Sequence, residues 1–284
     1  MSALALGLVL VSAVVHASWN LVTKRAGADT PFLWLAYVTG ALVYAPLALA
    51  VVLVARPVLP PVALVFVAVA VVLQTLYFLV LTAGYRSGDL SVVYPLARST
   101  GPLLATAGAV AIFGERPTPL AVAGALAILA GALVLTGDPR ALRADGRAVA
   151  FALLTGVVIA CYTLWDKTAV SLLLIPPILY DWAGVTGQAL VVAPFALRRS
   201  VELRRTWTVR RREVIAVGIM SRLSYILVLT ALVVAPVSYV APAREIGILL
   251  GAVLGARFLA EGHLARRSIG AVAMVAGIVA LAAG

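Results

Sequence analysis

Apolar runs of about twenty residues follow one another along almost the whole chain, separated by short polar connections. Ten such runs cover 3–23, 32–54, 62–84, 90–113, 119–136, 148–168, 174–197, 214–234, 237–259 and 265–283. A helix of about 20 apolar residues spans the hydrocarbon core of a bilayer, so the pattern predicts an all-α integral membrane protein with ten transmembrane helices. None of the runs alternates polar and apolar residues as the strands of a membrane barrel do. The connections leave no room for a soluble domain. The first run has no basic leading segment and continues through Trp19-Asn20-Leu21, which predicts a retained helix rather than a cleaved signal peptide.

The polar residues that interrupt the pattern recur. Residues 112–136 reappear in altered form at 258–282, with Glu115 matching Glu261, Gly124 matching Gly270 and Gly131 matching Gly277, each 146 residues on. Pro95 matches Pro242 and Ser91 matches Ser238 at 147, Tyr77 matches Tyr225 and Thr82 matches Thr230 at 148, and Trp19-Asn20 matches Trp165-Asp166 at 146. Matches of leucine or valine are cheap in so apolar a chain; matches of Glu, Pro, Trp and Tyr are not. The chain therefore reads as a duplication, 1–142 and 143–284, with five helices in each half.

Composition agrees with the membrane class: the chain is 63% hydrophobic and 12% charged, with a mean hydropathy of +1.10. The net charge of +11 lies in the connections between apolar runs, which argues for topology signals and anionic lipid contacts and against nucleic-acid binding. Odd-numbered connections hold 2, 1, 3, 7 and 3 lysines and arginines, whereas the even ones hold Arg56, Arg116 and Lys167 alone. The positive-inside rule puts the odd connections in the cytoplasm and both termini outside. With five helices per half, the second copy enters the membrane upside down, an inverted repeat of the kind used for alternating access. The single Cys161 leaves no internal disulfide, and the near-absence of lysine (Lys24 and Lys167 only) hints at a GC-rich bacterial genome and hence a bacterial inner membrane.

HASWN at 16–20, GERPTP at 114–119 running into an Ala/Gly-rich helix, and the five-plus-five duplication resemble the drug/metabolite transporter superfamily, in particular its EamA-type ten-helix transporters. The resemblance covers essentially the whole chain, and GERPTPLAVAGALAILAG is its most specific element. It implies a monomer in which helices 1–4 and 6–9 surround a central cavity while helices 5 and 10 buttress the outside. Two features depart from it. Well-known ten-helix exporters of this family carry both termini in the cytoplasm, opposite to the loop charges here. The second copy has also lost the prolines of the first, His263 and Ala265 standing opposite Pro117 and Pro119.

Charged residues inside membrane helices cost several kcal/mol unless paired or facing a wet cavity, and so mark candidate sites. Arg98 lies about 12 Å into helix 4, near the midplane. Arg222 in helix 8 and Arg244-Glu245 in helix 9 are similarly deep. In each half a proline, Pro95 or Pro242, precedes the charge and removes one helical hydrogen bond, which predicts a loosened turn facing a cavity. Three arginines against one nearby glutamate predict a cationic site for a carboxylate or phosphate; the competing reading is an internal pairing of Glu245 with Arg98 or Arg222 that fixes helix register. His16 and Asn20 share a face of helix 1, as Tyr162 and Asp166 do in helix 6, with Trp19 and Trp165 beside them. His16, Asp166 and Asp181 are candidates for proton coupling. Tyr77, Tyr94 and Tyr225 are candidates for stacking on a substrate or gating it, with Gln74 on the face of Tyr77. Glu115 and Glu261 read as helix-end residues of the scaffold, Glu115 complementing the start of helix 5, and the glycines at sevenfold spacing as close helix contacts.

No metal is expected, because the two histidines lie in different contexts. No nucleotide is expected either, because no Walker phosphate loop is present. No other cofactor is implied. The expected function is secondary transport of a small metabolite bearing an anionic group (an amino acid, organic acid or phosphorylated compound), with export favoured. Lipophilic drug efflux is the alternative within transport, and a membrane-embedded enzyme or a non-transporting partner protein the alternative outside it.

Overall fold

A computed structural model describes residues 1–87, 90–136, 146–250 and 264–284, and among these the chain is helical with no strand. Helix α1 (Ala3–Ala26) starts where the Ser2 hydroxyl accepts from Ala5 N–H. It stops at Gly27, whose φ of 59° turns the Ala28 N–H back onto the Thr23 carbonyl. Helix α2 (Thr30–Ala55) is started by the Asp29 carboxylate, which accepts from Phe32 N–H, with Pro31 in the first turn. Then come α3 (Ala63–Ser87), α4 (Leu90–Phe113), α5 (Pro119–Thr136) and α6 (Gly146–Lys167), the last running on into a π-helical turn at Thr168–Leu172. The remaining helices are α7 (Pro177–Leu197), α8 (Ser200–Val234), α9 (Val237–Ala243) and α10 (Leu264–Ala283).

Among the described residues, six helical segments are long and apolar enough to cross a membrane: Ala3–Ala26, Thr30–Ala55, Ala63–Ser87, Val93–Phe113, Gly146–Leu172 and Ser200–Val234. The bundle is apolar outside, and its buried charges lie within a largely apolar core. Leu42, Leu53, Leu64, Leu79, Leu190 and Val272 are exposed, while Arg98, Asp166, Asp181 and Glu245 are buried. Such a distribution suits a hydrocarbon solvent, since a charged group then turns away from lipid and toward other polar groups.

Three expectations change in detail. The basic stretch between Arg198 and Arg212, expected to be a connection, is mostly helical: α8 begins at Ser200 and bends at Arg210, where φ is −121° and ψ 24°. The bend is held by Arg210, which donates to the carbonyls of Ala26 (2.6 Å) and Gly27 (3.2 Å) and pairs with Asp29 at 3.4 Å. Orphan carbonyls at the end of α1 thereby gain a cationic partner. Secondly, the loosened turn occurs in one half only. Helix α4 continues unbroken past Pro95, whereas α9 stops at Ala243, turns at residues 244–245 and is helical again at 246–250. The turn is tightened by three-residue hydrogen bonds, from Glu245 N–H to Pro242 O and from Ile248 N–H to Glu245 O. Thirdly, Glu115 caps a helix other than its own. Its carboxylate accepts from Val237 N–H (2.8 Å) and Ser238 N–H (2.9 Å) at the start of α9. A carboxylate is favourable at any helix N-terminus, and sequence spacing does not reveal which one it reaches. Glu261, His263 and the division near residue 142 lie outside the described residues.

Packing brings α1 against α8, α3 and α4 against α6, α2 against α7 and α8, and α5 against α10. Helices α5 and α10 run antiparallel, with Gly124 against Gly277 and Gly131 against Gly270. A Cβ on Gly124 would lie 2.5 Å from the Gly277 carbonyl oxygen and one on Gly270 2.8 Å from that of Gly131. Only glycine permits so close an approach of two backbones. One end of the bundle carries Lys24, Arg25, Arg86, Arg147 and Arg210. The opposite end holds Glu115, Lys167 and the C-terminal Gly284, whose carbonyl accepts from the Tyr239 hydroxyl.

Candidate functional site

A cavity of about 90 Å³ lies between α1, α4, α8 and the broken helix after α9. His16 and Trp19 reach it from α1, Arg98 from α4, Arg222 and Tyr225 from α8, and Arg244 from the turn that follows α9. The three arginines separated by up to 146 residues in sequence thus converge on one space. Two of them are committed. Arg98 Nε lies 3.1 Å from Glu245 Oε2, and Arg222 Nη1 lies 3.2 Å from Asp181 Oδ1, with both carboxylates buried. Arg244 has neither an ion pair nor a hydrogen bond from its guanidinium among the described residues, although Glu245 and Asp166 lie within electrostatic range. Trp19 Nε1 and Arg222 Nε, buried at the same cavity, also lack a protein acceptor. Buried donors without acceptors are costly unless something polar meets them.

Around this centre runs a second polar layer. Asp166 of α6 accepts from the hydroxyls of Tyr180 (2.9 Å) and Tyr225. Gln74 of α3 donates to the Tyr225 hydroxyl at 3.1 Å and accepts from Gln188 Nε2 of α7 at 2.8 Å. Four helices are thereby joined through side chains alone. Tyr77 meets Tyr162 edge to face at 6.0 Å, and Tyr94 stands one turn before Arg98, near enough to interact with its charge.

Two sequence candidates lie elsewhere. Asn20 is exposed, and its amide donates to the His16 carbonyl of its own helix. Trp165 stacks on Phe66 at 4.1 Å and donates to the Phe66 carbonyl, a packing role between α6 and α3. Pro95 and Pro242 are buried one turn before Arg98 and Glu245 and shape the backbone without touching the cavity. Sequence reasoning missed Tyr180, Gln188 and the reciprocal Ser12–Ser224 contact of α1 and α8, in which the Ser12 hydroxyl donates to the Ser224 carbonyl at 2.8 Å. Hydroxyls and amides inside apolar helices are the available signal for such contacts.

The cavity's polar residues sit in a scaffold with known relatives. The EamA-like transporter family model matches residues 3–137, the segment that runs from α1 through the end of α5. Residues 3–137 are therefore similar to the EamA-like transporter family. EamA-like proteins are membrane transporters rather than enzymes, and the six apolar helices make this chain a multi-pass membrane protein. Beyond the family match, 28 solved chains are similar in fold. One crystal structure of a protein superposes with a TM-score of 0.73, covering 99% of this chain and 96% of its own at 18% identity. At that identity the likeness speaks for the fold alone. No curated protein matches the sequence.

Proposed function

We propose that the chain is a secondary transporter that moves a small metabolite bearing an anionic group across a bacterial cytoplasmic membrane, as a monomer, by alternating access and in the direction of export. One observation carries the reading: of three arginines at the central cavity, two are paired with buried carboxylates, and Arg244 has no such partner among the described residues. A guanidinium left unpaired at membrane depth is costly unless an anion shares the site for part of the cycle. Its planar fork suits a carboxylate or phosphate, gripped through two parallel charge-assisted hydrogen bonds. Such a ligand would also compete with Glu245 for Arg98. An apolar drug would leave the Arg244 charge unmet, which disfavours lipophilic efflux.

The contacts support a five-plus-five inverted duplication, residues 1–142 and 143–284. Arg98 and Glu245 occupy equivalent positions in the two halves and face each other. Gly124 meets the equivalent of Gly131, and Gly131 meets the equivalent of Gly124. Reciprocal antiparallel contacts of this kind are what a twofold axis in the membrane plane generates. At about 90 Å³ the cavity holds about three waters, well short of the few hundred Å³ that a bound metabolite occupies. Substrate entry therefore requires the helices to part, and the tight turn at 244–245 is a natural hinge. His16, Asp166 and Asp181 are the candidates for coupling to protons.

Counterflow in proteoliposomes against pooled anionic and zwitterionic metabolites tests the reading. Exchange is expected with the intact protein and is lost in Arg244→Ala, with Arg98→Ala strongly impaired. Exchange that survives Arg244→Ala unchanged, or that is found only with uncharged lipophilic compounds, would overturn it.

A further inference from the structure

A larger open space lies away from the central cavity. A groove of about 400 Å³ opens at the basic end, between the last turns of α3 and the first turns of α6. Arg86 and Arg147 flank its mouth, Phe78 and Phe151 line its walls, and no acidic side chain is among its described lining residues. Inward, the groove shares Thr30 and Phe78 with a second space of about 50 Å³ between α2, α3 and α7. That space ends at the amides of Gln74 and Gln188, which are bonded to each other at 2.8 Å. Gln74 is bonded in turn to Tyr225, a residue of the central cavity. Groove, inner space and cavity thus follow one another from the basic end to the membrane interior, and a single pair of neutral amides stands at the last step.

We propose that this groove is the loading site for the anionic substrate at the basic end, and that the Gln74–Gln188 pair closes its passage to the central cavity. The proposal rests on the anion reading of that cavity. Two guanidiniums over low-dielectric apolar walls concentrate field at the mouth and raise the local density of anions. Past the mouth, Gln74 and Gln188 present amide donors without charge, and neither the groove nor the inner space has a carboxylate among its described lining residues. Because the amide pair bridges α3 and α7, a small separation of those helices opens the passage.

The test uses single cysteines in a Cys161→Ser background, reconstituted in phosphatidylcholine vesicles. Thr82→Cys reports the groove and Ser221→Cys the central cavity. The probes are the anionic sulfonatoethyl and cationic trimethylammonioethyl methanethiosulfonates, with rates normalised to a small free thiol. At Thr82→Cys the anionic reagent is expected to be favoured at least fivefold, inorganic phosphate to slow it, and Arg86→Gln with Arg147→Gln to abolish the preference. At Ser221→Cys, Gln188→Ala is expected to raise labelling from the basic side several-fold. Absence of an anionic preference, or a preference that outlasts the loss of both arginines, overturns the loading site. Suppression by phosphatidylglycerol in the vesicles but not by phosphate assigns the groove to lipid headgroups and overturns it equally. A Ser221→Cys rate indifferent to Gln188→Ala overturns the gate. Monodisperse gel filtration of each variant excludes misfolding as the cause. None of these readouts needs a transported substrate, so failed counterflow with intact labelling would refute the transport reading separately.

Discussion

Arg98 and Glu245 occupy equivalent positions of the proposed duplication, yet one is a cation and the other an anion, and they meet at 3.1 Å. Complementary charge at equivalent positions is a physical reason for the two proposed halves to differ there. The Arg222–Asp181 pair has no such repeat relation and is equally buried. Removing one member of a buried pair leaves the other charge uncompensated, at a cost of about 3–5 kcal/mol, whereas replacing both with apolar residues is often neutral. Asp181→Leu and Arg222→Leu are each expected to lower the midpoint of thermal unfolding in detergent, and the double variant to recover most of the loss. A double variant no better than the worse single would show that the pair is not the stabilising unit. At this scale the sequence disclosed which residues matter more readily than whom they touch. Arginine in an apolar helix is conspicuous because of what it costs. The choice of Asp181 for Arg222 and Glu245 for Arg98 depends on helix contacts more than 40 residues away in sequence. Asn20 shows the same limit, since sharing a helical face with His16 left its amide free to bond back to its own helix.

Among the elements, the α5–α10 contact was the most legible, because glycines at sevenfold spacing in both helices give each a smooth face for close contact. The contact is backbone against backbone, so the added methyl of an alanine has no flexible neighbour to displace. Overpacking of this kind typically costs about 1–3 kcal/mol. Gly131→Ala and Gly270→Ala press on the same crossing point, with their Cβ atoms 2.7 and 2.8 Å from the partner's carbonyl oxygen. Each is expected to lower the unfolding midpoint, and the double variant to lower it by less than the two effects added, because the first already separates the helices. Additive losses would mean that the two glycines act at independent contacts. Other elements were legible only in part. The arginine-rich segment before residue 212 reads as a loop by its charge, yet it folds as the first turns of α8, since Arg210 finds carbonyl and carboxylate partners at the α1–α2 corner. The proline rule indicated a break in both halves. Only the second half has it, where Glu245, Gly247 and Ile248 satisfy their N–H groups through tighter three-residue bonds.

For the molecule as a whole, loop charge and geometry combine into a statement about orientation. The basic end gathers Lys24, Arg25, Arg86, Arg147 and Arg210 from connections far apart in sequence and also holds the open groove. The opposite end is knitted shut. Lys167 donates to the carbonyls of Leu232 (2.6 Å) and Ala235 (3.1 Å), Ser171 donates to Leu232 at 2.7 Å, and Glu115 caps α9 from the α4–α5 connection. Both termini belong to this closed end, since α1 runs from it toward Lys24 and the Gly284 carbonyl is bound there by Tyr239. If lysines and arginines keep to the cytoplasmic side, the open groove faces the cytoplasm and receives substrate from within, which is the loading geometry of an exporter. A periplasm-active reporter fused after Gly284 is therefore expected to be active, and a cytoplasm-active one silent. The reverse result would turn the open groove outward. Loading would then take place from outside, and export would give way to uptake.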